Sequence, residues 1–318
     1  MTPTFALSRA RSPRLRWRAE PRNRPIPVSR GANVPPLSPS LQLLRATLVL
    51  VFVLSLTLLT QLVVVSSLQH SAAQGRSLDS FRSELAKGTA PIGPTDSEGN
   101  QLQLGTPVAY IEIPSIGVRE VVGEGTTSGV LFDGPGHRRD SPLPGQVGTS
   151  VVFGRRAAFG GPFSSIGELT EGDAVTVTTG QGVFTFKVTG VRPEGAPVPP
   201  APSADAARLL LVTAAGRPFL PGGVLRVDAE LDGVAVIGPA RLISASALPA
   251  AERIMGGDAR TLWALALWLQ ALIALSLGVV WAWHRWGRAQ AWVVFLPPLV
   301  LVGLATSGEA ARILPNLL

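Results

Sequence analysis

Three uncharged apolar runs constrain this chain more than any other feature of it. They are residues 46–68 (ATLVLVFVLSLTLLTQLVVVSSL), 261–283 (TLWALALWLQALIALSLGVVWAW) and 289–307 (AQAWVVFLPPLVLVGLATS). Each is close to the ~20 apolar residues that a helix needs to cross a bilayer. Their flanks are charged unequally. Residues 1–45 hold nine arginines against one acid, Glu20, and the short joint His284-Arg285-Trp286-Gly287-Arg288 is basic. Basic flanks stay in the cytoplasm, so the expected topology has the N-terminus and this joint inside, with residues 69–258 and the C-terminus outside. A cleaved signal peptide, with Ser71-Ala72-Ala73 as its small-residue site, is the competing reading. The first run is longer than the roughly 7–15 residues of a signal core, which favours an uncleaved anchor. Trp281, Trp283 and Trp286 fit an interfacial aromatic belt. Pro297-Pro298 is expected to kink the third helix, with neighbouring helices satisfying the freed carbonyls.

The net charge of +7 belongs to these flanks. Residues 69–258 carry 15 basic and 19 acidic residues, so a basic nucleic-acid surface is not expected there, and nucleic acid is not an expected partner. Cysteine is absent, which excludes disulfides, thiolate ligands and a cysteine nucleophile. His70, His137 and His284 are scattered. Neither a metal site nor a cofactor is expected.

The rest of the chain divides by pattern. Residues 1–45 are rich in Arg, Pro and Ser without apolar period, and are expected to be a disordered cytoplasmic tail. Residues 69–105 are polar and read as an extracytoplasmic stalk, helical or flexible. Residues 106–232 alternate apolar and polar positions, are rich in β-branched residues and are punctuated by Gly and Pro, as in VAYIEIP, AVTVTT and VFTFKVTGV. That predicts a mostly β domain closing as a barrel. Residues 233–260 read as a linker to the second apolar run.

Seven short motifs occur in order: IEIPSIGV, LFDGPGH, PGQVGTSVVFG, GGPFSSIGELTEGD, VTVTTGQGVFTFKVTGV, LLLVTA and VLRVDAEL. This series, spread over residues 108–232, resembles the sortase family, in particular the class E-like sortases of Gram-positive actinobacteria. The resemblance implies an eight-stranded sortase-like β-barrel with short helices, one near Phe163–Leu169, set between one N-terminal and two C-terminal transmembrane helices. It also implies a place at the cell membrane facing the cell wall.

Sortases attack a threonyl carbonyl of a sorting signal with a cysteine thiolate. A histidine protonates the leaving amine, and an arginine stabilises the oxyanion or positions the substrate. The family's Gly-His-Arg step reads Gly154-Arg155-Arg156 here, so Arg155 stands in place of histidine. Arginine does not exchange a proton near neutral pH. The family's Leu-x-Leu-Val-Thr-Cys reads Leu209-Leu210-Leu211-Val212-Thr213-Ala214, so Ala214 stands in place of cysteine. On the closing strand Val224 aligns with the arginine, and Arg226 lies two residues on, hence on the same face. No catalytic residue is therefore expected to work. Arg155, Arg156, Thr213 and Arg226 remain as candidate groove residues. Thr213 is expected to face away from the groove, and His137, in Gly-Pro-Gly-His, reads as a loop residue. Three readings follow. One is a pseudosortase binding a peptide or protein partner at the cell surface, such as a sorting signal or another sortase. The second is a rewired hydrolase or transpeptidase without cysteine. The third is a structural membrane component. A persistent cleft beside Ala214 would favour binding, and a filled one would favour structure.

Overall fold

The structure, a computed structural model, describes residues 38–257 and 262–318. The Arg-rich tail expected over 1–45 lies outside the described residues as far as residue 37. Leu48–Leu318 form one compact unit.

Eight strands follow the alternation of the sequence: β1 Pro107–Ile113, β2 Val118–Glu124, β3 Gly136–His137, β4 Gly148–Phe153, β5 Ala174–Thr179, β6 Gly182–Pro193, β7 Ala207–Arg217 and β8 Leu220–Leu231. They close into a barrel in the order β1-β2-β3-β4-β7-β8-β6-β5, which leaves no open sheet edge. Two pairings, β2 with β3 and β4 with β7, are parallel, and the others are antiparallel. Every second residue points inward, where Ile111, Val177, Phe186, Leu209, Leu211, Val227 and Ala229 are buried. A fully buried leucine or phenylalanine of this kind contributes ~1.5–3 kcal/mol. A single 3-10 turn, Ile166–Glu168, falls inside the helical stretch anticipated near Phe163–Leu169.

The chain is helical from α1, Pro39–Thr60, through a π-helical turn at Gln61–Val65 into α2, Ser66–Lys87. The part of α2 read as a stalk is docked on the barrel. His70, Ala73 and Phe81 are buried. Gln74 Nε2 donates to the carbonyls of Val121 and Asp133, and its Oε1 accepts from Val121 N. Residues 233–257 are largely exposed, but Leu248 and Glu252 within them are buried. Glu252 is buried against Arg139, and its carbonyl accepts from Thr126 Oγ1. A short helix, α3, spans Val130–Asp133.

The two C-terminal helices, α4 Leu262–Trp286 and α5 Arg288–Ile313, contain stretches long and apolar enough to cross a membrane, at Leu262–Ala282 and Ala289–Ile313. Gly287, at φ +100°, turns one into the other. Helix α5 continues through Pro297 and Pro298. Trp281 and Trp286 meet edge to face at 5.5 Å.

Candidate functional site

The groove expected from the resemblance corresponds to the outer face of β4, β7 and β8. On β7 the odd residues Leu209 and Leu211 enter the barrel core, so Val212 and Ala214 face out. Ala214 lies directly across from Val224 of β8, and Val212 lies across from Arg226. A register shift between Ala214 and Gly216 bends the strand end here, as bulges do. Gly216 sits at φ +98°, with backbone of Leu220 and Gly222 within 3 Å of where a Cβ would stand, so only glycine fits the bend.

Ala214 is 1% exposed and Val224 3%. Both belong to an apolar cluster with Leu131, Val151, Phe153, Val212 and Leu317. Leu317 comes from the segment that follows α5, and it is fully buried. Ile254 and Met255, from the segment before α4, pack against the same cluster. The seat over Ala214 is thus filled by the chain itself. Beside it a cavity of about 760 Å³ stays open, lined by Val151 together with Thr149, Ser141, Arg138 and Arg241.

Arg155 follows β4 and is 1% exposed. Its placement is set by Gly154, where a Cβ would collide with the Phe163 ring, and by Phe163 N, which donates to the Arg155 carbonyl at 3.1 Å. The guanidinium sits 4.7 Å from the Phe132 ring centre and 5.2 Å from Phe159, two rings stacked at 3.8 Å. Nη1 donates to the Leu318 carbonyl at 3.0 Å, while Nε and Nη2 have no partner. Burial lowers its pKa to about 9, because desolvation penalises the charged form. It still cannot replace an imidazole as proton donor and acceptor near pH 7. Arg156 N donates to the Leu317 carbonyl at 3.1 Å, and its Nη1 reaches the Ala214 carbonyl at 3.4 Å.

The remaining candidates are placed as follows. Thr213 lies on the interior face of β7, fully buried, with Oγ1 donating to the Gly154 carbonyl at 2.8 Å. Arg226 is half-buried on the groove face, two residues beyond Val224. Groups of His, Asp or Glu suited to a metal ion do not occur among the described residues.

His137 is not the loop residue that the sequence suggested. It pairs in β3 with Glu124 of β2 and is 2% exposed. Its Nδ1 lies 2.8 Å from Glu124 Oε2, and its Nε2 lies 2.9 Å from the Pro142 carbonyl and 3.1 Å from Ser141 Oγ. The set has the outline of a Ser-His-Glu triad, but the hydrogen bonds run the wrong way. A carbonyl only accepts, so Nε2 carries a hydrogen, and the carboxylate takes the other from Nδ1. Ser141 Oγ donates to the Arg138 carbonyl and accepts from Val151 N. No basic nitrogen faces the hydroxyl, and the group is a buried imidazolium–carboxylate pair. Burial opposes its charge, yet the Glu124 charge and the bonds to Glu124 and Pro142 outweigh that and raise the His137 pKa. Sequence reasoning missed the pair because its members are 13 residues apart, on strands whose pairing no local pattern announces.

Residues 111–217 match the family model of the sortase domain. Sortase D of Bacillus subtilis is 33% identical over 86 residues, which is 27% of this chain and 42% of that protein's length. Among solved structures, a sortase E variant from Streptomyces avermitilis is similar at 32% identity and a TM-score of 0.36, covering 42% of this chain and 92% of that one. The Clostridium perfringens Sortase D5 transpeptidase is similar at 23% identity and a TM-score of 0.42, covering 51% and 99%. Residues 111–217 thus carry the sortase domain, and the chain spans less than half the length of the curated relative it matches.

Proposed function

We propose that this protein is a membrane-anchored pseudosortase: it keeps the barrel and its groove, performs no transpeptidation, and works by binding a peptide or protein segment at the cell surface. The observation that carries this reading is the Ala214–Val224 pair. Acyl transfer needs a nucleophile and an oxyanion donor at these facing strand positions, and both hold hydrocarbon packed against hydrocarbon. The rewired-enzyme reading has less support. Thr213 points into the barrel and gives its hydrogen to Gly154, and His137 is held in a doubly hydrogen-bonded form away from any base role. The structural-component reading draws on the filled seat over Ala214. Against it stand the open cavity along Val151 and the unused donors of Arg155, which suit recognition better than packing.

The test is a panel of fluorogenic sorting-signal peptides offered to the full chain in detergent. The unmodified protein should be silent. The variant combining Ala214→Cys, Arg155→His and Val224→Arg should regain measurable turnover if only the chemistry was lost. Turnover by the unmodified protein that Thr213→Val abolishes would establish the rewired enzyme instead.

A further inference from the structure

The filling of the groove is more selective than packing alone requires. Beyond α5 the backbone is extended at Leu314 and then closes a turn, Leu318 N donating to the Pro315 carbonyl at 3.1 Å, against the apolar cluster of β4, β7 and β8. Asn316 N donates to the Gly256 carbonyl at 2.9 Å, and its Nδ2 donates to the carbonyls of Thr126 and Arg253 at 2.9 and 3.0 Å. Leu317 fills the apolar seat over Ala214. The Leu317 carbonyl accepts from Arg156 N, and the Leu318 carbonyl from Arg155 Nη1. Main-chain bonds give such a segment affinity, and side-chain pockets give it specificity. We propose that the groove is a receptor for a peptide that turns at a Pro-Asn-Leu step, that residues 315–318 of the same chain occupy it at rest, and that a partner peptide of this chemistry binds by displacing them. The proposal rests on the reading above that the groove binds without cleaving.

Three features distinguish an exchangeable occupant from a permanent part of the core. Asn316 Oδ1 and Arg155 Nε and Nη2 are buried without partners, so the resident segment leaves binding capacity unused at a cost in free energy. The open cavity adjoins the seat at Val151 and gives a longer peptide room that residues 315–318 do not take. Asn316 recognition is made entirely by backbone carbonyls, which any peptide with a carboxamide in register would satisfy equally.

The absence of cysteine makes a direct test available. Leu317→Cys and Val212→Cys are introduced together into the full chain in membranes, with a site-specific protease sequence inserted in residues 233–249. A short thiol–thiol cross-linker should keep the two halves joined after cleavage. Halves that separate would overturn the proposal, and so would cross-links joining two chains, which would make a second copy the occupant. In parallel, labelled Ile-Leu-Pro-Asn-Leu-Leu is titrated into the full chain and into the Asn316→Gly, Leu317→Gly variant. With the resident segment bound more than nine-tenths of the time, the variant should bind about tenfold tighter or more. Asn316→Gly alone, which leaves the leucine seat packed, should give a smaller gain. Equal affinities, or no binding by any of the three, would overturn displacement. Hydrolysis of the peptide would instead sink the non-catalytic reading and leave the cross-linking result standing.

Discussion

At the scale of residues, the buried charges are placed unequally. His137 is held by a carboxylate and a carbonyl, whereas Arg155 has one main-chain oxygen and two phenyl rings, with Nε and Nη2 left without a hydrogen-bond partner. The difference gives opposite pH signatures. The folded pKa of His137 is raised, so its stabilisation is complete below its ordinary value of about 6.5 and is lost as pH rises through the folded value. Arg155 is lowered to about 9, so the folded state binds fewer protons there, and stability gains with pH only from that point upward. From about pH 6.5 up to the raised folded value, the slope therefore belongs to His137. Thermal unfolding of the full chain in detergent should show the midpoint falling across this range, and His137→Gln should flatten the profile. Glu124→Gln, which leaves the imidazolium buried without its counter-charge, should cost ~3–5 kcal/mol at pH 6. Parallel profiles for wild type and His137→Gln would refute the charged pair.

At the scale of elements, α2 is joined to β2 by one side chain as much as by its apolar face. Gln74 reproduces on β2 the bonds of a neighbouring strand, donating to Val121 O at 3.1 Å and accepting from Val121 N at 2.7 Å. Gln74→Ala leaves the Val121 and Asp133 groups without these partners. It should destabilise the docking by ~2–6 kcal/mol, taking ~1–3 kcal/mol for each of the two part-buried Val121 groups left unmade, the Asp133 bond being exposed. Amide exchange at Val121 should speed up strongly while Leu211, deep in β7, keeps its protection. Equal exchange at Val121 in wild type and variant would show that α2 is held by packing alone. Phe81, buried on the same helix, is the packing counterpart, and Phe81→Ala should cost ~3–5 kcal/mol. Helix α5 likewise approaches α1 closely, with Gly303 facing Thr57, where a Cβ would stand 3.3 Å from the threonine methyl. Gly303→Leu should separate these helices, read as loss of cross-linking between cysteines placed at 61 and 304, which line the same cleft, beside a retained barrel melting transition.

At the scale of the whole molecule, an α4–α5 hairpin that begins and ends against the barrel fits an even number of crossings between residues 257 and 314. Together with the arginine-rich start, this predicts the barrel outside and the N-terminus inside. Protease added to intact cells should digest loops of the barrel and spare an epitope placed in residues 1–37. An epitope at Arg285 in the joint should be equally protected. Labelling of either from outside would overturn the topology.

Much of this protein follows from its sequence alone. Strand alternation is local and periodic, so the inward set of residues and the closure of a β domain were legible from VAYIEI, VTVTT and VFTFKV. The apolar runs identified the two C-terminal helices for the same reason. Ala214 and Arg155 could be placed because a motif position is a matter of order along the chain. Contacts between distant segments were not legible. The Glu124–His137 pair depends on the register of two parallel strands. The docking of α2 depends on one glutamine meeting a strand 47 residues away. Leu317 over Ala214 depends on where a helix of 26 residues delivers the chain. Each is fixed by geometry accumulated over the whole fold, and an apolar leucine after an apolar helix carries no local mark of the seat it will fill. Composition and order decided the barrel. Only the tertiary structure decided that the groove is occupied, because occupancy depends on which distant surfaces meet once the chain has closed.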